Sequence, residues 1–472
     1  MPHETAPDPA APHGEPAREG APAHAAPPGA PAEGPYDLLG VGLGPFNLSL
    51  AALADGVPGL RALFLDTRPR FSWHPGLLLE GTVLQVPFLA DLVTMADPTS
   101  PWSYLNYLRA HDRMFPFFFS ERFHIPRREY DHYCRWVAER LPSCRFDARV
   151  TSLAWDGAGG VFRVTHRSAA GRSAEVTARQ VVLGVGTEPV LPHALRIPPG
   201  GDGAERIVHS AAYRAHRSRL AAAGDVTVVG AGQSGAEVVL DLLRRRSGDG
   251  EAGGPFVRWL ARTPAFAPME YSKIGLEHFT PDYIRYFRAL PEPVRDRLVR
   301  EQWQLHKGVS EETLADIHDE LYEHTIGGAA PRASLHPGVE VTGAERAPGG
   351  LRLRCHHVQQ DRPFTLRTSA VVAATGYAAR RPPFLGPLEP LVDRDERGRY
   401  RIDGDYRVAL DPAVTGALYV QNAELHTHGV GAPDLTLGAW RAATILNAVA
   451  GRTVRPVPDQ VAWTVFGTPD GP

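Results

Sequence analysis

Two glycine-rich segments constrain what this chain can fold into more than any other feature. The first, YDLLGVGLGPFNLSLAALA, runs from Tyr36 to Ala54. Tyr36 to Leu39 reads as a strand, Gly40-Val41-Gly42-Leu43-Gly44-Pro45 as a tight turn, and Phe46 to Ala54 as a helix. That succession lets bare backbone amides meet a pyrophosphate at the positive end of a helix. Pro45 stands where the common pattern has glycine. Downstream, LRALFLD reads as a second strand ending in Asp66, where a carboxylate accepts hydrogen bonds from an adenosine ribose. The second segment, DVTVVGAGQSGAEVVLDLLRR, carries Gly230-Ala231-Gly232-Gln233-Ser234-Gly235 between a strand and a helix. The next strand, PFVRWLAR, ends in Arg262 rather than an acid. A cation there suits the 2′-phosphate of NADP; the plainer alternative is a solvated surface arginine.

Two dinucleotide sites in one chain predict a flavoprotein that binds FAD and takes hydride from NADPH. Two further strand ends are expected to return the chain to the first site: QVVLGVGTEPVLP, with Gly184-Val185-Gly186, and SAVVAATGYAARRP, with Thr375 and Gly376. The predicted class is α/β with two dinucleotide-binding, Rossmann-like domains. An NADPH domain over 218–280 is inserted in a discontinuous FAD domain over 35–217 and 340–456. Pro281 opens a helical, substrate-side segment assigned to 281–339. Residues 457–472 read as a loose C-terminus. Residues 1–34, rich in Ala, Pro and Gly, read as a disordered tail, because they offer almost nothing apolar to bury.

Composition removes several classes. The chain has 472 residues, enough for two or three domains. Its net charge of -3 has no basic stripe for nucleic acid. No run of about 18 apolar residues marks a membrane span, and no apolar leader segment is seen. Cys134, Cys144 and Cys355 form no C-x-x-C pair, which argues against a zinc site or a dithiol redox centre and fits the cytoplasm.

The order of further segments identifies a resemblance. GVGLGPFNLSL, FSWHPGLLLEGTVLQVPFLADLVT, PTSPWSYLNYL, FHIPRREYDHYCRWVA, VTVVGAGQSGAE, ATGY and THGVGAPDLTLGAWRAATILN together resemble the flavin-dependent N-hydroxylating monooxygenases, the lysine and ornithine N-hydroxylases of siderophore pathways. HFTPDY and AWRAA look closer to the lysine branch. The likeness spans about residues 36 to 456. It implies NADPH-driven N-hydroxylation of a primary amine with O2 through a C4a-hydroperoxyflavin, the oxidant belonging to the cofactor. It further implies that Gln85 lies beside the flavin, that Trp73 and His74 wall its site, and that the protein is a homo-oligomer, a dimer or a tetramer. Trp73 read alone is equally a core residue, and His74 a satisfied histidine. No protein nucleophile is required, so none is assigned as catalytic.

One residue departs from the family. Where the amino-acid hydroxylases usually read F-L-K-D-L, with the lysine anchoring a carboxylate, this chain reads Phe88-Leu89-Ala90-Asp91-Leu92. A buried carboxylate without a partner is costly, so Ala90 predicts a substrate lacking one: a diamine, cadaverine or putrescine. Leu276-Glu277-His278-Phe279, in place of Asn-Glu-x-Phe, points the same way. The alternative is L-lysine, with Lys273 or Lys307 supplying the cation. A non-catalytic flavin-binding protein is the rival of another class. The distal ammonium of a diamine wants an acid; Glu424 ranks first, ahead of Glu277 and Glu270. His426 and His428 have no evident third ligand, so no metal is assigned.

Overall fold

The computed structural model describes residues 34–197, 204–245 and 253–468. Most of the N-terminal tail therefore lies outside the described residues. From Pro35 onward the chain forms one compact unit built on two main sheets, one mixed and one parallel.

The first sheet runs Cys144–Arg145, Ala62–Leu65, Tyr36–Val41, Ser173–Leu183, Val161–Arg167, Arg149–Asp156, with Ala417–Val420 also paired to Ser173–Leu183. Its centre is parallel, with Leu38 opposite Ala62 and Gly40 opposite both Phe64 and Val182. The last two strands of the path close it as an antiparallel meander. The first glycine turn leaves Tyr36–Val41 and enters the helix Pro45–Ala54. Pro45 occupies the first helical turn, where its missing N–H costs no intrahelical bond.

That turn is clasped from three sides. Gly42 has φ +89°, and a Cβ on it would lie 2.4 Å from the Gly184 carbonyl oxygen. Asn47, fully buried, donates through Nδ2 to the carbonyls of Val41 (3.3 Å) and Gly42 (2.7 Å) and accepts at Oδ1 from Gln421 Nε2 (2.7 Å). One amide thus ties together the first strand, the turn and the last strand of the sheet.

The second sheet is parallel throughout: Ala333–Pro337, Phe256–Ala261, Asp225–Val229, Ala370–Ala373, Ile207–His209. Its glycine turn precedes the helix Gln233–Leu243. Gly230, at φ +130°, lies so near Ala374 that a Cβ would sit 2.1 Å from that residue's carbonyl oxygen.

This sheet corrects several sequence expectations. Ile207–His209 lies before the expected boundary at 218, yet pairs with Ala370–Ala373 in the second sheet. Ala333–Pro337, assigned to a helical segment, is its edge strand. The strand of SAVVAATGY enters this sheet beside Asp225–Val229 and does not rejoin the first; between 333 and 373 the chain makes the antiparallel meander Val339–Ala347, Gly350–His357, Arg362–Thr368. A short apolar run shows that a strand is buried but not which sheet takes it. The helices fall at Pro281–Ala289, Glu292–Glu301, Gln304–Lys307 and Glu311–His324.

The C-terminal segment is not loose over its described part. Asp282 accepts from the amides of Val461 (2.8 Å) and Ala462 (3.1 Å), Glu277 accepts from those of Trp463 (3.3 Å) and Thr464 (2.7 Å), and Phe466 packs on Tyr283 (5.0 Å) and His278 (5.3 Å). These partners lie far away in sequence, so local composition carries no sign of them.

Asn47→Ala removes a buried amide and strands the carbonyls it serves. A loss of about 2–3 kcal/mol follows from leaving such groups unpaired, to be read as a lowered urea midpoint. An unchanged midpoint would mean that the clasp is redundant.

Candidate active site

Both glycine turns end at a helix whose first position is a glycine, Gly44 or Gly232, with no side-chain cap. The first amides of both helices are left to other acceptors, and apart from Gly44's own chain neighbours nothing among the described residues lies within 4 Å of a Cβ built on it. Donors facing open space at a positive helix end fit the pyrophosphate of a dinucleotide.

Two residues expected at the cofactors, Asp66 and Gln233, have their side chains engaged inside the chain. Asp66 is buried, and its carboxylate accepts from the Leu43 amide (2.7 Å), the Arg68 amide (2.8 Å) and Arg68 Nε (2.9 Å). Burial alone would raise its pKa; Arg68 outweighs this and holds the carboxyl below the usual range. Asp66 therefore braces the glycine turn, and both its oxygens are engaged inside the chain. Gln233 Nε2 donates to Glu237 (2.9 Å) and Thr313 (3.1 Å), while Oε1 accepts from the Ser310 amide (2.8 Å). Its side chain thus joins the turn to the helix Glu311–His324. Ser234 stands beside it in the first turn of the helix Gln233–Leu243. Arg262 is exposed at the end of its strand, with Glu340 3.8 Å away, the plain surface setting weighed beside the 2′-phosphate role.

Trp73 and His74 adjoin the Thr375-Gly376-Tyr377 segment. His74 adopts a left-handed backbone (φ 44°). Its ring lies 4.8 Å from Trp73 and 6.3 Å from Tyr377, and Tyr377 lies 5.3 Å from His209. Residues 73–74 and the Thr375-Gly376-Tyr377 segment are therefore neighbours. Thr375 Oγ1 and His209 Nε2 bond the carbonyls of Val190 (2.5 Å) and Gly376 (3.1 Å). The His74 ring borders solvent yet is crowded by protein on its other sides, as a cleft-lining group is. That crowding, and then the charge of Arg127, lowers its pKa to about 4. Gln85 Nε2 is hidden from water with no acceptor among the described residues, so a buried donor stands ready for a carbonyl or ring nitrogen.

Ala90 is buried in a loop whose shape Asp91 dictates. The Asp91 carboxylate accepts from the amides of Val93 (2.9 Å), Thr94 (2.7 Å) and Tyr104 (2.7 Å). Ser49, on the helix after the first glycine turn, donates to the Leu92 carbonyl (2.5 Å). Position 90 is thereby fixed relative to that turn. The chain has two lysines, Lys273 and Lys307; both are exposed, and Lys307 sits with its carbonyl against Gly232, beside the second turn.

The expected acids are committed elsewhere. Glu424, ranked first for a distal ammonium, is fully buried and ion-paired with Arg441. Its Oε2 also accepts from the Ala423 amide at 2.7 Å. It neutralises a protein cation and is neither an open acceptor nor a solvent-facing acid. Glu277 is spent on the C-terminal segment, and the Thr464 hydrogen bonds hold it below the usual carboxylate range. Leu276, beside it, is exposed. Glu270 is exposed and caps Ser272 (2.7 Å). His426 bonds the Tyr400 carbonyl (2.8 Å), and His428 stacks on Tyr406 (4.3 Å).

Sequence reasoning missed Asp434. It is half-buried in the loop before the C-terminal helix Gly438–Ala450 and accepts from the Thr436 amide at 2.7 Å. Leu435 packs on the core cluster that holds the first glycine-turn helix, and a Cβ on Gly438 would lie 3.4 Å from Phe46. Burial raises the Asp434 pKa against the pull of Thr436 and Arg441. Tyr271 feels the charges of both Asp434 and Arg127, and Arg127 in turn acts on His74 and Tyr377. Asp434 thus sits where the C-terminal helix packs against the first glycine-turn helix. Its only sequence signal is an acid inside the THGVGAPDLTLG segment. The clasp between layers was missed too: Arg127 grips Glu237 through two 2.8 Å contacts, both side chains almost fully buried.

These features define a two-dinucleotide flavin monooxygenase framework, and the comparisons agree. The family model for L-lysine 6-monooxygenase/L-ornithine 5-monooxygenase matches residues 34–379, and the chain belongs to that family. The chain is 44% identical to the rhizobactin siderophore biosynthesis protein of Rhizobium meliloti, covering 92% of this chain and 95% of that one. It is 40% identical to a putrescine N-hydroxylase of Shewanella oneidensis, covering 91% and 84%. The crystal structure of an FAD-bound cadaverine monooxygenase from the desferrioxamine pathway of Erwinia amylovora superposes with a TM-score of 0.87 at 38% identity, covering 92% of this chain and 99% of that one. Among the described residues no helix is long and apolar enough to cross a membrane.

Arg441→Met leaves Glu424 buried without its counter-charge, a change that costs about 3–5 kcal/mol. The double variant Arg441→Met/Glu424→Gln should recover part of that loss in urea unfolding. No recovery would show that the pair is not the interaction being measured.

Proposed function

We propose that this protein hydroxylates one primary amine of a small aliphatic diamine, cadaverine or putrescine, using FAD, NADPH and O2, for hydroxamate siderophore biosynthesis in the cytoplasm. The observation that carries the reading is a buried Ala90 at the position where the resemblance expects an anchoring cation. The names of the putrescine- and cadaverine-hydroxylating relatives support it.

FAD, once reduced by NADPH, supplies the activated oxygen. The chain's own residues do the rest. The Gly40–Pro45 turn holds one pyrophosphate and the Gly230–Gly235 turn the other, with Arg262 at the adenosine end of the second. Gln85 turns its buried Nε2 toward the flavin edge, and Trp73, His74 and Tyr377 exclude water from the cleft. Asp434 holds the distal ammonium. The reacting amine must be neutral, and an alkyl ammonium has a pKa of about 10.4 in water. A walled site far from negative charge lowers that value. Glu424 sits near the same C-terminal segment but adds no net charge, because Arg441 cancels it. Asp434 thus fixes which end of the diamine stays charged.

The deciding experiment incubates enzyme, FAD and NADPH with cadaverine, putrescine, lysine and ornithine and assays hydroxylamine product. Product from the diamines and little from the amino acids is expected. Lysine reacting best would overturn the diamine reading and leave the family assignment standing. Asp434→Asn keeps the shape and removes the charge. A rise in KM for the diamine of about tenfold or more is expected, consistent with losing a charge-assisted hydrogen bond. NADPH oxidation without amine should be unchanged. An unaltered KM would remove Asp434 from the site.

A further inference from the structure

Residues 459–466 form an extended strap, tied down along its whole length. Side chains alternate along it: Val461, Trp463 and Val465 are exposed, while Ala462, Thr464 and Phe466 are half-buried. That is the period of an extended chain with one face against the protein. At the start, the Trp440 indole donates to the Pro458 carbonyl (3.1 Å) and Arg285 donates to that of Asp459. In the middle, four consecutive amides are taken in pairs, those of Val461 and Ala462 by Asp282 and those of Trp463 and Thr464 by Glu277. At the end, Phe466 packs on Tyr283 (5.0 Å) and His278 (5.3 Å) and stacks on Tyr286 (6.0 Å). The carboxylates grip the backbone whatever its side chains are; Phe466 sets the register.

The strap holds down two pieces of the substrate side. Glu277 and His278 lie in the short turn Gly275–Phe279, with Leu276 where the resemblance expects a polar contact to an amino-acid head group. Asp282, Tyr283 and Tyr286 lie on the helix Pro281–Ala289. Tyr283 also meets the loop that carries Asp434. A Cβ on Gly429 would lie 3.2 Å from Tyr283 and 3.1 Å from Phe287, and Gly429 has φ +75°. Tyr283, Phe287, Val430 and Leu437 share one apolar cluster, and Phe466 packs against it. Val430 and Leu437 flank Asp434 in the chain. One side chain, Tyr283, thus separates the strap from the loop that carries Asp434. The two glycine turns are held by separate networks, Asn47 with Gln421 at the first and Gln233 with Ser310 at the second.

We propose that residues 459–466 position the amine site, with Phe466 as the positioning residue. The strap clamps residues 275–289 onto the loop 429–437 and so sets where Asp434 stands. The inference rests on the reading of Asp434 as the partner of the distal ammonium.

Steady-state kinetics on the full-length flavoprotein test it, with hydroxylamine as product and the amine that the wild type hydroxylates best as substrate. Phe466→Ala should raise the KM for that amine about tenfold, as a misplaced binding group does. Its kcat, its KM for NADPH and its flavin content should stay unchanged, the pattern of lost ground-state binding. Phe466→Tyr, which keeps the ring, should stay near the wild type. Because the strap acts through the Asp434 loop, Asp434→Asn/Phe466→Ala should show a KM close to that of Asp434→Asn alone. An unchanged KM in Phe466→Ala overturns the proposal, and a lowered urea midpoint with that unchanged KM would make the strap a stability element only. Fully multiplied KM effects in the double variant overturn it as well. A raised KM in Phe466→Ala with none in Asp434→Asn keeps the strap and removes Asp434 as the ammonium partner. If Phe466→Ala does not fold, Thr464→Pro, which deletes one amide held by Glu277, carries the same expectation.

Discussion

The rest of the molecule hangs on the close approach of the first glycine turn to its neighbouring strand ends. Gly42 presses on the Gly184 carbonyl, and Asn47 binds the first strand, the turn and Gln421 in one buried network. This contact holds the bare amides at Gly44 at one angle to the sheet. It also fixes the helix that carries Ser49, and through Ser49 the loop with Ala90. A side chain at Gly42 would both clash with a backbone oxygen and strain the turn, and neither effect can be relieved by a rotamer change.

Buried charge serves architecture more than chemistry in this protein. Arg127–Glu237 clamps the two nucleotide-binding layers, Asp66 with Arg68 braces the first turn, and Glu424–Arg441 neutralises the base of the C-terminal helix. Breaking Arg127–Glu237 or Glu424–Arg441 would be costly, because the surviving charge is shut away from water. Asp434 differs from these: it is half-buried, and its hydrogen bond comes from the Thr436 amide rather than from an arginine.

The fold was legible where the sequence writes local rules. The glycine turns, the strands before them and the helices after them follow from backbone geometry that few residues other than glycine allow. The helices from Pro281 to His324 follow from their spacing and from Pro281 at a helix start. Sheet membership was not legible, because Ala370–Ala373 and Ala333–Pro337 are apolar runs that fit either sheet equally. The C-terminal segment looked loose for the same reason: its anchors, Glu277 and Asp282, lie nearly two hundred residues away.

The sequence by itself determined the cofactor framework and the family, since each is a matter of residue type at a position within a local motif. Only the tertiary structure decided which acids remain available. Glu424, Glu277 and Asp434 are equivalent as letters. Folding gives the first an arginine, the second two backbone amides of the C-terminal segment and the third the amide of Thr436. The charge a carboxylate can offer a substrate depends on the partners that the fold brings to it, and no local pattern encodes them.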